Sequence, residues 1–294
     1  NNAAEEAAFT DPRVTDTDDD GDSDSLEIQE LTSPIDSLDS SDIQYRAAQF
    51  DGTNYLEIED KLRYGLASWT TEAWVRPDAD AVGGTIVRRE VGDFNDGSSN
   101  YALNYELGID NEGGTLRPYV RYVLNDGTEV KVGGTGSTLS VVKDGATWSH
   151  LAGAYNVATR ELVLYVNGIG VASKADADTL NLPPEVGVGP YHLTIGEGIK
   201  GLVDEVRIWS RAQTGSRIAA NRGVLLYPGL SGLEAYYRFD DAGDHAEDFS
   251  RSSDWSNEWV NAAVPGGAAA VTWPTITFPP VSLDTDEDGT PDIT

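Results

Sequence analysis

"ELVLYVNG" (161–168) is the stretch on which the fold turns. Six residues rich in β-branched and aromatic side chains lead into Asn167-Gly168, the dipeptide a tight hairpin turn requires. The same texture recurs in "TEAWVRP" (71–77), "WSHLAGAY" (148–155), "YHLTIGE" (191–197), "GLVDEVRIW" (201–209) and "LEAYYRFD" (233–240). Asp-Gly turns at 51–52, 96–97, 126–127 and 144–145 punctuate the chain, and helical periods are few. This spacing predicts an all-β sandwich or jelly roll over residues 43–280. Only 214–223 and 2–8 read as short helices. Trp74, Trp148, Tyr165 and Trp209 are expected to fill the space between the sheets. The prolines in 264–280 suit a last edge strand leading outward.

Charge divides the chain into three. The net charge is −30, with 50 acidic residues against 20 basic ones. Residues 1–45 carry fourteen acids against Arg13 alone, and 281–294 carry five against none, so over half of the excess sits in the tails. Such a surface disfavours nucleic acid and anionic lipid and attracts cations. With no cysteine there is neither a disulfide nor a thiolate metal site. No apolar run approaches the ~20 residues of a membrane span, and no signal-peptide pattern is present. Methionine is absent even at position 1, which suggests a piece processed from a longer precursor. These features predict a soluble protein of the cell surface or exterior.

Two segments, 1–42 and 281–294, contain nearly the same string. "DTDDDGDSDSLE" (16–27) places Asp16, Asp18 and Asp20 at loop positions 1, 3 and 5, and Gly21 at 6 for the sharp turn. The Asp22 carbonyl follows at 7, Asp24 at 9 and Glu27 at 12. Six or seven oxygens converging at about 2.3–2.6 Å suit Ca2+. "DTDEDGTPDIT" (284–294) supplies Asp284, Asp286, Asp288, the Thr290 carbonyl and Asp292, and ends one residue before position 12. Both loops resemble the calcium-binding units of thrombospondin type 3 repeats. The second could be completed by the head of the next subunit, with Glu5 or Glu6 as donor. A head-to-tail contact of this kind builds a filament.

Between them, "AAQFDGTNYLEI" (47–58), "WTTEAWVRP" (69–77), "WSHLAGAYN" (148–156), "LVLYVNG" (162–168), "LTIGE" (193–197), "GLVDEVRIWSRA" (201–212) and "LEAYYRFDD" (233–241) follow one another in order. In that order they resemble laminin G-like domains of the concanavalin A-like superfamily, over roughly residues 44–250. The resemblance implies an all-β fold, an antiparallel two-sheet jelly-roll sandwich, in agreement with the strand reading. It also implies a structural calcium between the "FDG" turn and the "DEVRIW" strand, with Asp51 and Asp204 at the matching positions.

Relatives that hydrolyse glycosides place paired carboxylates on one strand as E-x-D-x-x-E, and that string does not occur here. Asp204 and Glu205 are expected on opposite faces of their strand, and His150, His192 and His245 are scattered. No nucleophile elbow, zinc-protease motif or phosphate-binding loop occurs, so the chain is expected not to be an enzyme. The leading expectation is a calcium-binding module of a surface adhesin or filament, self-associating head to tail or joined to neighbouring repeats. The alternative is a carbohydrate-binding module of a polysaccharide-degrading enzyme, with loops 93–101 and 254–259 (Trp255, Trp259) offered to a glycan. A glycan or a protein would then be its ligand.

Overall fold

The computed structural model describes residues 23–24, 45–93, 101–124, 126–175, 193–226, 229–240, 245–250, 262–263 and 270–276. Two antiparallel sheets face each other. The first has seven strands, in the order β1-β12-β3-β8-β9-β10, with β13 also on β12. They are β1 (Ala48–Asp51), β3 (Trp69–Pro77), β8 (Ser149–Asn156), β9 (Glu161–Val166), β10 (Ile169–Lys174), β12 (Lys200–Trp209) and β13 (Leu233–Tyr237). The second has eight, in the order β14-β15-β2-β11-β4-β5-β6-β7. They are β2 (Leu56–Ile58), β4 (Gly84–Asp93), β5 (Tyr101–Glu112), β6 (Thr115–Val123), β7 (Glu129–Gly133), β11 (Leu193–Ile195), β14 (His245–Ala246) and β15 (Ala262–Ala263). The Asn167-Gly168 turn joins β9 to β10 as expected, with both residues at positive φ (52° and 79°). The described helix α1 (Gly215–Asn221), about two turns long, starts where Thr214 accepts a hydrogen bond from the Arg217 amide.

Alternate residues of the facing strands meet in one core, which includes Phe50, Trp69, Val75, Tyr105, Leu107, Val120, Tyr155, Leu164, Val203, Ile208 and Tyr237. Trp69 is its pivot, with ring centroids of Tyr105 and Tyr155 at 5.7 and 6.1 Å. Packing across the core is close enough that a Cβ on Gly153 would stand 2.2 Å from Val120.

The expected place of four aromatic residues is corrected here. Trp74, Trp148, Tyr165 and Trp209 lie on the outer face of the first sheet, not between the sheets. Trp209 packs with Leu226, Leu233, Tyr236 and Phe249, and Tyr165 with Ala152, Ala154 and Ile218 of α1. Trp148 packs against Ala47, Leu202 and Ile276, and Trp74 donates its indole N–H to the Arg222 carbonyl at 2.6 Å. The first sheet is covered on both faces, so apolar alternation cannot say which face is the core.

A bulge in β12 gives a second correction. The pairing with β3 slips between Asp204 and Arg207, and Glu205 takes a φ of 53°. Asp204 and Glu205 are therefore both buried and do not alternate. Glu205 receives the Arg207 guanidinium at 2.5 Å and the Tyr236 hydroxyl at 2.6 Å. Burial first, then the charges of Glu205 and Asp240, pushes the Asp204 carboxyl well above its ordinary range.

Beside this group the indole of Trp209 donates to Glu72 at 2.9 Å, and His150 Nε2 stands 3.4 Å from the other Glu72 oxygen. Burial lowers the affinity of His150 for a proton from its ordinary value of 6.5, despite the neighbouring carboxylate. Below about pH 6.5 the unfolded chain therefore binds a proton that the folded chain refuses, and stability falls as pH falls. Relative to His150→Asn, the wild type should lose up to about 1.4 kcal/mol per pH unit in urea unfolding carried out from about pH 8 to about pH 5. An unchanged difference would mean that His150 accepts its proton in the folded state.

Candidate functional site

The outer faces of the two sheets are treated differently. Over the first sheet lie α1 and the segment 222–226, tied down by Arg207, which donates to the carbonyls of Asn221 and Val224 at 2.8 Å each. On the second sheet the outer face of β5, β6 and β7 stays open to solvent and carries charge. Alternation places Glu106, Gly108, Asp110 and Glu112 of β5 on it, with Arg117, Tyr119 and Arg121 of β6 and Glu129 and Lys131 of β7.

Each charge is matched by a neighbour on the next strand. Glu106 is fully buried under Arg121, which reaches its two oxygens at 2.9 and 3.0 Å, and it also accepts the Tyr119 hydroxyl. The same arginine donates to Glu129 at 2.6 Å. Lys131 meets Asp110 at 2.8 Å while its ammonium lies 3.9 Å from the Tyr119 ring centroid. Arg117 meets Glu112 at 3.1 Å. Gly108 makes the arrangement possible. A Cβ there would stand 2.5 Å from the Tyr119 oxygen, so only glycine lets the ring lie across β5 to reach Glu106. Arg121, Lys131 and Asp110 remain 20, 26 and 23% exposed, enough to meet a ligand from solution.

This face offers fixed donors and acceptors rather than a reactive pair. Asp110 and Glu112, two residues apart on one strand, have roughly the separation of paired glycosidase carboxylates. A general acid would need its proton held, and here the opposite holds. Burial is outweighed by Lys131 and by the amide and hydroxyl of Thr135, so Asp110 is kept below the ordinary carboxylate range. Burial, followed by the Glu106 charge, pushes the Tyr119 phenol up, which keeps it a donor.

The residues expected from sequence lie elsewhere. Asp16, Asp18, Asp20, Asp22 and Glu27, like Asp284, Asp286, Asp288, Thr290 and Asp292, fall outside the described residues, and of the first loop only Asp24 is described as a ligand position, buried. The segment 2–8, His192, Trp255 and Trp259, and 94–100 of the loop 93–101 also fall outside them. Asp51 shapes its own turn: one oxygen accepts the Thr53 amide and hydroxyl at 2.8 Å and the Asn54 amide at 3.1 Å, which holds the carboxylate low. In the β1–β12 register Asp51 faces Lys200 and Ala48 faces Val203, so Asp204 lies four residues further along, about 13 Å away by strand rise. The structure does not bring Asp51 and Asp204 together. Among the described residues no group of three or more His, Asp or Glu is placed to hold a metal ion. No described helix is long and apolar enough to cross a membrane.

The family model described as the concanavalin A-like lectin/glucanases superfamily matches residues 50–219. No curated protein matches the chain. Among solved structures, a Bacteroides ovatus protein whose name proposes carbohydrate binding superposes with a TM-score of 0.56 at 22% identity, over 82% of this chain and 62% of that one. The present chain thus spans less than two thirds of that protein. The CBM40 of the Ruminococcus gnavus IT-sialidase, bound to α2,3-sialyllactose, gives a TM-score of 0.46 at 10% identity, over 59% of this chain and 95% of that one. Domain 4 of the Geobacillus stearothermophilus arabinanase AbnA, in complex with arabinotriose, gives 0.40 at 18% identity, over 59% and 74%. At these identities the likeness is one of fold.

Removing the buried member of the ladder tests its construction. Glu106→Ala strands the Tyr119 hydroxyl and the Arg121 guanidinium, and should cost about 1–3 kcal/mol in urea unfolding. Arg117→Ala, on the rim of the same face, should change stability by less than about 0.5 kcal/mol.

Proposed function

The chain belongs to the concanavalin A-like lectin/glucanases superfamily, and we propose that it acts there as a non-catalytic, extracellular glycan-binding module. One observation carries the reading. The open face of β5–β7 is lined with charged side chains fixed by their neighbours, so that hydrogen-bonding groups are oriented before any ligand arrives. Sugar hydroxyls are served by such planar carboxylates and guanidiniums. Hydrolysis is not, because each candidate acid on the face is neutralised by a cation.

A glycan array probed with the chain should give binding that Lys131→Ala weakens roughly tenfold to a hundredfold, since a hydrogen bond to a charged group contributes about 1.5–3 kcal/mol. Polysaccharide incubated with the chain should release no new reducing ends. Binding that survives every substitution on β5–β7 would move the site elsewhere on the sandwich.

Calcium belongs to the same proposal. We infer that the loops 16–27 and 284–292 take Ca2+ through their alternating aspartates and stiffen the segments flanking the sandwich. Self-association through the second loop, as in a surface filament, is the further reading. One feature supports a lateral head over an in-line bead: the Ile276 amide donates to the Tyr45 carbonyl at 2.8 Å, so the chain enters and leaves the sandwich at adjacent points. In sedimentation velocity, millimolar-scale calcium should compact the monomer relative to chelator, and replacing Asp16, Asp18 and Asp20 together by alanine should remove the response from the first loop. A calcium-dependent ladder of oligomers would instead favour the head-to-tail joint.

A further inference from the structure

In a chain with 50 acids and 20 bases, cations have carboxylates to choose from, and Arg89, Arg121 and Arg207 each close on one at 2.5–2.9 Å. Arg76 does not. It projects from the outer face of β3, half-buried, with its Nε enclosed and without a hydrogen-bond partner. No carboxylate among the described residues lies within ion-pair distance of its guanidinium, which instead rests 5.4 Å from the ring centroid of Trp148.

The surroundings are built rather than accidental. Arg76 faces Leu202 of β12 on one side. On the other, the pairing of Val75 with Ser149 puts Trp148 directly opposite it. Trp148 and Tyr45 are both partly exposed, and each packs against a floor of Ala47, Leu202 and Ile276. The result is a planar fork of donors on an apolar floor with two aromatic side chains. The guanidinium has been stripped of part of its water and given no anion by the described residues in return, which is unfavourable unless a ligand supplies one.

From this geometry we infer that Arg76, Trp148 and Tyr45 form a second ligand site, one that takes a single carboxylate-bearing sugar, a uronic or sialic acid on an otherwise neutral glycan. The guanidinium fork matches a carboxylate with two parallel hydrogen bonds. The aromatic side chains offer the apolar face of a sugar ring a surface to lie on. A densely charged polyanion does not fit, because the rest of this −30 chain repels it. The inference rests on the glycan-binding reading and assigns the charge of part of the glycan.

Isothermal titration of the full chain with methyl glucuronide, the methyl glycoside of N-acetylneuraminic acid and neutral methyl glucoside tests it, alongside the array glycans that bind the second sheet. The acidic probes should bind, the neutral one should not, and Arg76→Gln should weaken the acidic probes roughly tenfold or more. Whichever acidic probe responds identifies the sugar. Lys131→Ala should leave acidic binding intact. Should Arg76→Gln be poorly folded, Arg76→Lys keeps the charge without the fork and should still lose affinity. Acidic binding that is equal in wild type and Arg76→Gln overturns the site. Array binding sensitive to Lys131→Ala, with no response to either acidic probe, overturns the site and leaves the module reading standing. Absence of all glycan binding overturns both.

Discussion

Arg207 is the residue on which the outer half of this molecule depends. Its guanidinium, buried in β12, holds Glu205 beside it and two carbonyls, those of Asn221 at the end of α1 and of Val224 just after it. Without that anchor the cover over the first sheet keeps only the Trp74–Arg222 and Leu226–Tyr236 hydrogen bonds and the apolar contacts around Ile218 and Leu226, and Glu205 and Glu72 are left as buried charges with weaker compensation. The bulge at Glu205 follows from the same need. An unbroken β12 would alternate Glu205 into the apolar core, whereas the extra residue and the positive φ turn its carboxylate outward to Arg207 and Tyr236. A buried charged residue thus sets the backbone of the central strand.

That constraint decides how much of the fold could be read from sequence. The hairpin at Asn167-Gly168, the short helix beginning at Thr214 and the edge position of the described part of 264–280, residues 270–276, were all legible, because turn chemistry, capping and proline act locally. The bridges from Thr272 to Gln49 of β1 and from Thr275 to Arg46 just before it place 270–276 at the edge that Pro274 suits. The orientation of Trp74 and Trp209 was not legible. Both faces of their sheet are buried, and only tertiary structure distinguishes the core from the cover.

The strands that carry the candidate site were the least evident. In β5, Tyr105, Leu107 and Ile109 alternate with Glu106, Gly108 and Asp110, which is the period of a half-buried strand. Glycines and acidic residues at the outward positions give the stretch the composition of a loop. Those positions need side chains with functions rather than strand propensity, and Gly108 needs none at all so that Tyr119 can cross it. The site was hidden by the residues that make it a site. Conversely, the aspartate loops were conspicuous in sequence because calcium loops are defined by local spacing alone, but spacing says nothing about where they sit relative to the sandwich.

The juxtaposition of Tyr45 and Ile276 bears on that placement. A module strung in line between repeats transmits tension through its whole body, and its two attachment points lie at opposite ends. Here the attachment points are one β-pairing distance, about 4.8 Å, apart, so a pull on both flanking segments loads the pairing of β1 with 270–276 and spares the two sheets. The β5–β7 face belongs to the part of the molecule that such a load does not reach, whereas the Arg76 site, with Tyr45 and Ile276 in it, lies at the loaded pairing. Under the calcium and glycan proposals, a sandwich joined to its flanking segments at adjacent points would keep the β5–β7 face intact while those segments bear force. This arrangement reconciles the acidic flanks with the sandwich between them and requires neither to be a joint in a filament.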